Sequence, residues 1–212
     1  MIIGSGLIAK AMQPIDRDDI TIFASGVSDS RETRVSEFKR ERELLKSNMG
    51  KKTIYFSTVP KNASLYMAHK QEMEDMVRMN NDHLIVRIQY IVGHGGNKAN
   101  LFNYLRSQIQ GNKQVTVYKD LYRSLNDIDD IVKLMKILHA CQGTITISGI
   151  ESLPIEIIVK KMFHYSGKKE NIKVVYGGRE ELIENDDIVD RWIEYLKLKK
   201  EGYTDCVIKK YL

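Results

Sequence analysis

Short apolar segments alternate with longer, charge-rich segments along this chain of 212 residues. Three apolar segments, at 20–23, 52–57 and 83–92, contain many isoleucine, valine and aromatic residues, which favour β-strands. The segments between them, near 34–47 and 64–80, are long enough for helices. Strands that alternate with helices predict a parallel sheet covered by helices on both faces, and ligands of such sheets bind at the carboxyl ends of the strands.

The first residues of the chain predict a phosphate-binding turn. Gly4-Ser-Gly6-Leu-Ile-Ala9 follows two isoleucines and has the spacing G-x-G-x-x-A. In a strand–turn–helix unit, the first glycine permits the tight turn, the second lets a pyrophosphate approach the backbone, and the small third residue lets the helix pack on the strand. An anion is also favoured where a helix begins, because backbone N–H groups are free there. We therefore expect Gly4, Gly6, Leu7 and Ile8 to contact a dinucleotide cofactor.

A tyrosine and a lysine four residues apart follow the segment at 52–57. On a helix, Tyr66 and Lys70 lie on one face, with the ammonium beside the phenol. A neighbouring positive charge favours phenolate and lowers the pKa of tyrosine, which is ordinarily near ~10. A hydroxyl from Ser57 or Thr58 could share the substrate oxygen. The pattern therefore predicts proton transfer by Tyr66.

Composition argues against several other classes of function. The net charge of +5 is moderate, and basic residues are interleaved with acidic ones, as at 37–43, so we expect no nucleic-acid partner. Cys141 and Cys206 lack metal-ligand spacing, which predicts no metal site and fits a reduced, cytoplasmic setting. No apolar run approaches the ~20 residues needed to span a bilayer, and the first residues do not resemble a signal peptide, so we expect no membrane association.

These motifs occur in the same order as in a known family. The chain resembles the extended-type short-chain dehydrogenases/reductases, which include nucleotide-sugar epimerases, 4,6-dehydratases and ketoreductases. Ala24, Ser25 and Gly26 belong to a segment that resembles the one after the family's fourth strand, where the cofactor also binds. The resemblance covers nearly the whole chain and extends to Asn100-Leu-Phe and to the element that begins at Arg123.

The resemblance implies a Rossmann-like fold, NAD or NADP as cofactor, and a set of catalytic residues. Tyr66 would be the general acid/base acting on a sugar hydroxyl or ketone. Lys70 would lower the pKa of Tyr66 and hold the nicotinamide ribose, and Thr58 would hydrogen-bond the reacting oxygen. Thr58 aligns better than Ser57 with the family's hydroxyl, because that residue comes second in the pair that ends the strand. Ser57 is the alternative.

The resemblance also implies substrate contacts. Asn100 and Arg123 would hold the diphosphate of a nucleotide sugar, since arginine offers a planar fork of donors. Two alternatives remain: Asn100 caps the helix that follows it, and Arg123 pairs with a surface carboxylate. His94, in a glycine loop, and Tyr90, where relatives often have an asparagine, are expected near the substrate. The identity of the sugar does not follow from the resemblance.

Two intervals are shorter than in the family. Only a short stretch separates the first helix from the segment at 20–23, where the family has two further strands and a helix, so we expect a truncated sheet. The adenosine half of the cofactor loses its usual support, and the acidic residue expected ~20 positions after the glycine turn has no counterpart. The interval between Thr58 and Tyr66 is also short, which predicts a more open pocket.

The resemblance further implies the organisation of the chain. We expect a truncated Rossmann-like core at 1–140, with substrate-lobe elements near 94–118, and a small C-terminal α/β substrate lobe with a terminal helix at 141–212. In relatives, the helices equivalent to those near 34–47 and 64–80 form a four-helix dimer interface, which implies a homodimer.

Two functions of different classes follow. The first is an NAD(P)-dependent reductase or epimerase that modifies a nucleotide sugar for bacterial surface polysaccharide. The second is a non-catalytic nucleotide-sugar-binding or accessory protein that has kept the sheet and the substrate lobe. Retention of Thr58, Tyr66 and Lys70 favours the enzyme, and loss of the adenosine support favours the accessory protein.

Overall fold

The structure, a computed structural model, describes residues 1–50, 52–59, 63–177 and 183–212. Its strands, in chain order, are β1 (Ile2–Ile3), β2 (Ile20–Phe23), β3 (Lys52–Ser57), β4 (His83–Ile88), β5 (Ile91–Val92), β6 (Val115–Tyr118), β7 (Tyr122–Ser124), β8 (Asn126–Asp127), β9 (Gly143–Ile147), β10 (Ser152–Pro154) and β11 (Ile172–Val175). Its helices are α1 (Leu7–Ala11), α2 (Val35–Asn48), α3 (Leu65–Arg78), α4 (Leu101–Gln110), α5 (Ile128–Leu138), α6 (Ile155–Ser166), α7 (Asp187–Tyr195) and α8 (Tyr203–Tyr211), and a 3₁₀ helix at Gln13–Ile15 follows α1.

The main sheet has five parallel strands in the order β1-β2-β3-β4-β9. β3 is buried along its whole length, as expected for a strand covered on both faces. The predicted α/β class with a parallel sheet is therefore confirmed. β1 lies directly beside β2, with Ile2 opposite Ile22, so no strand of residues 1–50 separates them. The sheet has the shortened form that the interval after the glycine turn predicts.

Alternate residues of the central strands pack against opposite layers. Ile22 and Ile54 belong to the core cluster that includes residues of the 3₁₀ helix and α5. Phe23 and Tyr55 belong to a second cluster with residues of α2 and α3. The sheet is thus doubly wound, and the helices that follow β1 and β2 lie on opposite faces. Ligands of such sheets bind in the crevice that this divergence opens.

The division into a core at 1–140 and a substrate lobe at 141–212 stays a prediction. β9 completes the main sheet beside β4, although it lies within the predicted substrate lobe at 141–212. A parallel neighbour requires a long crossover, and the chain between β4 and β9 supplies it, so the pairing cannot be recognised from sequence order. Within the described residues, β6 pairs with β11, β7 with β10 and β5 with β8. α4, α6 and α8 share one core cluster with the main sheet.

The long strand predicted at 83–92 is broken. β4 ends at Ile88, and the chain leaves the sheet at Tyr90, whose φ of +40° is uncommon for a residue with a side chain. Asn126 holds the bend, because its side-chain amide donates to the Gln89 carbonyl at 2.8 Å and its backbone N–H donates to the Tyr90 carbonyl at 3.1 Å. The apolar character of the segment is continuous, so it does not reveal the bend.

α2 and α3 occur where helices are predicted, near 34–47 and 64–80. Ser64 caps α3 by accepting a hydrogen bond from a backbone N–H of its first turn at 3.1 Å. The solvent-facing sides of the two helices carry charges, and the Arg42 guanidinium of α2 donates to Glu72 of α3 through two bonds of 2.6 Å. A homodimer through these helices stays a prediction.

Candidate active site

A cleft opens at the carboxyl ends of β1 to β4, where α1 and α2 diverge. Its volume is about 810 Å³, within the ~300–1,000 Å³ typical of small-molecule sites. The glycine turn and the loop after β2 form one wall, the end of β3 and the start of α3 form another, and α4 with the segment before it forms a third. The predicted site residues that line the cleft are Gly6, Leu7, Ile8, Ala24, Gly26, Ser57, Thr58, Tyr66, Lys70, Tyr90 and Asn100.

The two glycines of the turn have different roles. Gly4 has a φ of +135°, and a Cβ there would lie 2.5 Å from the carbonyl oxygen of Ala24. Only glycine lets the turn pass this close to the loop after β2. At Gly6 a Cβ would meet nothing within 4 Å, and the residue lines the cleft. Gly4 therefore supports the turn, whereas Gly6 leaves its backbone open to a ligand.

Ser25, expected to contact the cofactor, is turned toward α2 instead. Its carbonyl oxygen accepts hydrogen bonds from the Arg40 guanidinium at 3.3 and 3.4 Å. Its neighbours Ala24 and Gly26 line the cleft, whereas neither Ser25 nor Gly4 belongs to the described lining. The loop after β2 therefore lines the cleft through the residues on either side of Ser25 rather than through Ser25 itself.

Thr58 and Tyr66 are brought together by the end of β3 and the first turn of α3. The Thr58 hydroxyl is hydrogen-bonded to the Tyr66 phenol, and both side chains line the cleft. Ser57 donates its hydroxyl to Glu74 of α3 at 2.7 Å. Of the two candidate hydroxyls, Thr58 is the one beside the phenol.

The surroundings of Tyr66 favour the protonated phenol. Burial raises the pKa of Tyr66 above its ordinary value, and the negative charges of Glu41 and Asp29 raise it further, while the hydrogen bond with Thr58 acts in the opposite direction. Lys70 Nζ lies 5.8 Å from the centre of the Tyr66 ring. The pKa of Tyr66 thus shifts in the direction opposite to the predicted one, because burial and the nearby carboxylates of Glu41 and Asp29 favour the neutral phenol.

Lys70 is buried and paired with Glu41. Its Nζ donates to Glu41 Oε1 and to the Tyr55 hydroxyl, both at 3.0 Å, and the Tyr55 hydroxyl donates to the same carboxylate oxygen at 2.7 Å. Gly26 covers this group, since a Cβ there would lie 2.7 Å from Nζ. Burial lowers the pKa of Lys70, and the adjacent carboxylate opposes that effect. Lys70 lines the cleft, but the buried carboxylate of Glu41 compensates its positive charge.

Glu41 is fully buried, and four donors hold its carboxylate. Besides Tyr55 and Lys70, the N–H of Val27 donates to Oε2 at 2.6 Å, and His69 Nε2 lies 3.0 Å from that oxygen. Burial alone raises the pKa of Glu41, but the hydrogen bond from His69, the charge of Lys70 and the other donors outweigh it and lower the pKa to about 2. Glu41 is therefore ionised at neutral pH, and it links α2, β3, α3 and the loop after β2.

The sequence pattern does not single out Glu41, because it belongs to a charged run at 37–43 that is typical of a solvated helix face. The structure shows that Phe38, Glu41 and Leu45 form the buried stripe of α2. Their spacing of three and four residues is that of an apolar helix face. A carboxylate in line with two apolar residues is the signal that could have identified it.

His69 is also buried, and its ring stacks on Phe38 with centroids 4.5 Å apart.

Asn100 lies where it can both cap α4 and contact a ligand in the cleft. Its side-chain oxygen accepts the backbone N–H of Asn103 at 2.8 Å and so caps α4. The residue also lines the cleft, opposite the glycine turn. The capping role is therefore present, and contact with a substrate remains a prediction.

Arg123 and His94 do not reach the described lining of the cleft. The Arg123 guanidinium lies 5.1 Å from the centre of the Tyr90 ring and donates to the Tyr122 carbonyl at 2.7 Å. His94 is exposed, and its ring meets the ring of Tyr211 edge-on, with centroids 5.0 Å apart. Arg123 can therefore act on the cleft through Tyr90, whereas His94 faces the C-terminal helix.

Cys141 and Cys206 are free thiols. Among residues 1–50, 52–59, 63–177 and 183–212, no cluster of three or more histidine, cysteine, aspartate or glutamate side chains could hold a metal ion. The same part of the chain includes no helix with the length and apolar character needed to cross a bilayer.

No protein-family model and no curated protein matches the sequence. Solved structures do match the fold. RMD from Pseudomonas aeruginosa, complexed with NADPH, has a TM-score of 0.68 at 14% identity, over 99% of this chain and 96% of that one. The UDP-glucose 4-epimerase of Thermus thermophilus, in complex with NAD, has a TM-score of 0.66 at 13% identity, over 95% of this chain and 78% of that one. The dTDP-4-dehydrorhamnose reductase of Bacillus anthracis, in complex with NADP, has a TM-score of 0.63 at 19% identity, over 96% of this chain and 84% of that one.

This chain has the fold of nucleotide-sugar epimerases and reductases. The resemblance recognised from the motifs is thereby confirmed at the level of the fold. In this chain the epimerase/reductase fold is built with β1 at the edge of the main sheet, directly beside β2.

Proposed function

We propose that this chain is an NAD(P)-dependent reductase or epimerase that acts on a nucleotide sugar, with Tyr66 as the general acid/base. The observation that carries the proposal is the hydrogen-bonded pair of Thr58 and Tyr66 in a cleft that the glycine turn also lines. The fold shared with a UDP-glucose 4-epimerase and a dTDP-4-dehydrorhamnose reductase supports it. The family resemblance suggests a cytoplasmic role in bacterial surface-polysaccharide biosynthesis.

The glycine turn fits the pyrophosphate of a dinucleotide. Gly6 leaves its backbone open to the cleft, and Leu7 and Ile8 add an apolar surface beside it. The described lining includes the cations of Arg31 and Lys70 and no carboxylate, which suits a ligand that carries phosphates. The part of the cleft nearest the turn therefore has the chemistry that NAD or NADP requires.

Lys70 can still contact the ribose of a dinucleotide. An ammonium has three N–H donors, and Glu41 and Tyr55 accept two of them. The third is left for a ribose hydroxyl above Lys70 in the cleft. In this role Lys70 acts as a hydrogen-bond donor more than as a free charge.

In the proposed reaction, Tyr66 exchanges a proton with the reacting oxygen of the sugar. A bound nicotinamide would supply or accept the hydride at the adjacent carbon. The hydrogen bond with Thr58 lowers the pKa of Tyr66, so Thr58 donates its one hydrogen to the Tyr66 oxygen, and the Thr58 oxygen can still accept a hydrogen bond from a reacting sugar hydroxyl. Asn100 and Tyr90, which also line the cleft, would contact the nucleotide sugar.

A second candidate is a nucleotide-sugar-binding or accessory protein without catalysis. The position of β1 favours it, because residues 1–50 provide no strand beyond β1 on which the adenosine half of a dinucleotide could lie. The cleft volume of about 810 Å³ also favours it, since single-ligand sites are of this size and catalysis requires both a dinucleotide and a nucleotide sugar.

Titration calorimetry separates the two candidates. NADH, NADPH and a panel of UDP-, dTDP- and GDP-sugars are titrated into the protein. Saturable binding of a dinucleotide supports the enzyme. Binding of a sugar nucleotide without any dinucleotide binding supports the accessory protein and contradicts the proposed enzyme.

Variants at the end of β3 and the start of α3 test the assignment of Tyr66. Tyr66→Phe should abolish turnover while ligand affinity stays within a few-fold, because only the proton-transferring oxygen is lost. Thr58→Val should reduce turnover more than Ser57→Ala, since the Ser57 hydroxyl bonds Glu74 at 2.7 Å. Unchanged turnover in Tyr66→Phe, or the reverse order of Thr58→Val and Ser57→Ala, would contradict the assignment.

A further inference from the structure

The buried carboxylate of Glu41 contacts Lys70 behind the cleft. Glu41 is not among the residues to which the family resemblance assigns a role. It has no exposed surface, and its two oxygens accept from Val27, Tyr55, Lys70 and a ring nitrogen of His69 at 2.6 to 3.0 Å. A buried charge is tolerated only when it is paired and fully hydrogen-bonded, and Glu41 meets both conditions.

The contacts of Lys70 place its ammonium on Glu41 and Tyr55. Nζ lies 3.0 Å from each of their oxygens, and Gly26 closes over it so tightly that even a methyl group there would collide. The position of Nζ is thus fixed from α2, β3 and the loop after β2. The ring centre of Tyr66 is 5.8 Å away.

We propose that Glu41 is a positioning residue of this site, which holds the Lys70 ammonium against Tyr55 and thereby keeps Tyr66 as a proton donor. This inference rests on the proposed function for its chemical consequence. A site with a protonated tyrosine is suited to the reduction of a ketone, so the substrate class is a nucleotide sugar that carries a keto group.

Two carboxylates, one ammonium and a second phenol are the charged and titratable groups around Tyr66. Glu41 faces it from α2 and Asp29 from the loop after β2, while Tyr55 lies near it on β3 and Lys70 on its own helix. The negative charges raise the pKa of Tyr66, and burial acts in the same direction. Of the two carboxylates, Glu41 raises the pKa of Tyr66 more than Asp29 does, so its removal should change Tyr66 most.

The proposed reduction is balanced in atoms and electrons. The carbonyl carbon would receive a hydride from a reduced nicotinamide dinucleotide, which would thereby be oxidised. The π bond of the carbonyl breaks, and its oxygen takes the proton of the Tyr66 hydroxyl, so the ketone becomes an alcohol. The Tyr66 phenolate then takes a proton from water in the open cleft.

The test reads the protonation of Tyr66 in the free protein. A fluorinated tyrosine placed at position 66 has an intrinsically more acidic phenol, which brings its titration into the range where the protein stays folded, and fluorine NMR observes this group alone. In the otherwise unchanged protein, the probe should titrate at a higher pH than the free amino acid. Glu41→Gln should move the titration to lower pH by about 1 unit or more, since a like charge is removed and Lys70 loses its partner.

Two further variants test the proposal. Glu41→Asp keeps the negative charge and should titrate closer to the unchanged protein than Glu41→Gln does. If Glu41→Gln does not fold, the double variant Glu41→Gln with Lys70→Met removes both charges, and its probe should titrate at a lower pH than in the unchanged protein. Coincident titrations with and without the Glu41 carboxylate, or a rise in the double variant, would overturn the proposal.

The direction of turnover is a separate measurement. Keto-sugar reduction with NADH or NADPH should exceed oxidation of the corresponding alcohol at neutral pH, and Glu41→Gln should narrow that ratio. Absence of turnover in both directions would contradict the proposed function, whereas the fluorine titration would still decide whether Glu41 controls Tyr66.

Discussion

Two of the three walls of the cleft are built in different ways. The wall at the end of β3 and the start of α3 is held by buried polar side chains behind it, with four donors on Glu41 of α2 and three side chains, Ser57, Arg78 and Arg87, on Glu74. The wall formed by β1, a strand of two residues, and α1, a helix of five, depends on backbone geometry at glycine. The first wall depends on hydrogen bonds and charges of particular side chains, whereas the second depends on positions that carry no side chain. Removal of a side chain should therefore destabilise the first wall, and addition of one should disturb the second.

The largest effect is expected from an unpaired charge in the first wall. Lys70→Met leaves the Glu41 carboxylate buried without its cation, which should lower the free energy of unfolding by about 3–5 kcal/mol. Urea unfolding followed by circular dichroism measures this loss. Lys70→Met combined with Glu41→Gln removes both charges and should be more stable than Lys70→Met alone.

An exposed ion pair at the amino end of β2, away from the cleft, provides the matched control. Arg17 pairs with Asp19 before β2, and both side chains are more than half exposed. Arg17→Met should therefore have little measurable effect on unfolding, because solvent screens such pairs. A loss in Lys70→Met no larger than that in Arg17→Met would contradict the difference between the walls.

The second-largest effect is expected at low pH, where protonation of the Glu41 carboxylate should lower the free energy of unfolding. The pKa of Glu41 is lowered from 4.5 to about 2 in the folded protein. Its contribution to stability is therefore complete above the unfolded value and is lost as the pH falls toward the folded value, by on the order of 3 kcal/mol. The difference in unfolding free energy between the unchanged protein and Glu41→Gln should shrink between these two pH values. A constant difference across that interval would show that the Glu41 carboxylate is not stabilised as described.

Substitutions in the glycine turn should separate stability from ligand binding. Gly4→Ala forces a Cβ to within 2.5 Å of the Ala24 carbonyl oxygen at a φ of +135°, which should cost about 1–3 kcal/mol. Gly6→Ala meets no neighbouring atom, so its stability should stay within about 0.5 kcal/mol of the unchanged protein. Gly6→Ala should nevertheless weaken dinucleotide binding in calorimetry, because the new methyl group occupies the approach to the backbone. If Gly6→Ala binds the dinucleotide as tightly as the unchanged protein does, the glycine turn does not contact the cofactor.

Local patterns in the sequence predict the parts of the fold that depend on neighbours along the chain. The apolar segments at 20–23 and 52–57 become strands, and the glycine turn lies at the cleft, because burial on both faces and a tight turn each leave a signature in a few residues. The bend at Tyr90 depends on Asn126, which is far along the chain, and the pairing of β9 depends on a long crossover. Neither of these can be read from a local pattern.

The candidate site shows the same division. The nearness of Thr58 and Tyr66 follows from a strand end and a helix start that are close in sequence. The role of Lys70 does not follow, because its charge is compensated by Glu41 on another helix. Spacing predicts which residues share a helix face, but it does not predict which residue from another element neutralises them.

Simultaneous binding of two ligands tests the central claim most directly. An enzyme of this kind must hold a dinucleotide and a nucleotide sugar together, whereas the cleft of about 810 Å³ lies within the range of single-ligand sites. The measurement is a calorimetric titration of each nucleotide sugar in the panel into protein already saturated with NADH or NADPH. The account predicts saturable binding of at least one nucleotide sugar to the dinucleotide complex. Mutually exclusive binding of the two ligands, or no binding of either dinucleotide to the folded protein, would contradict it.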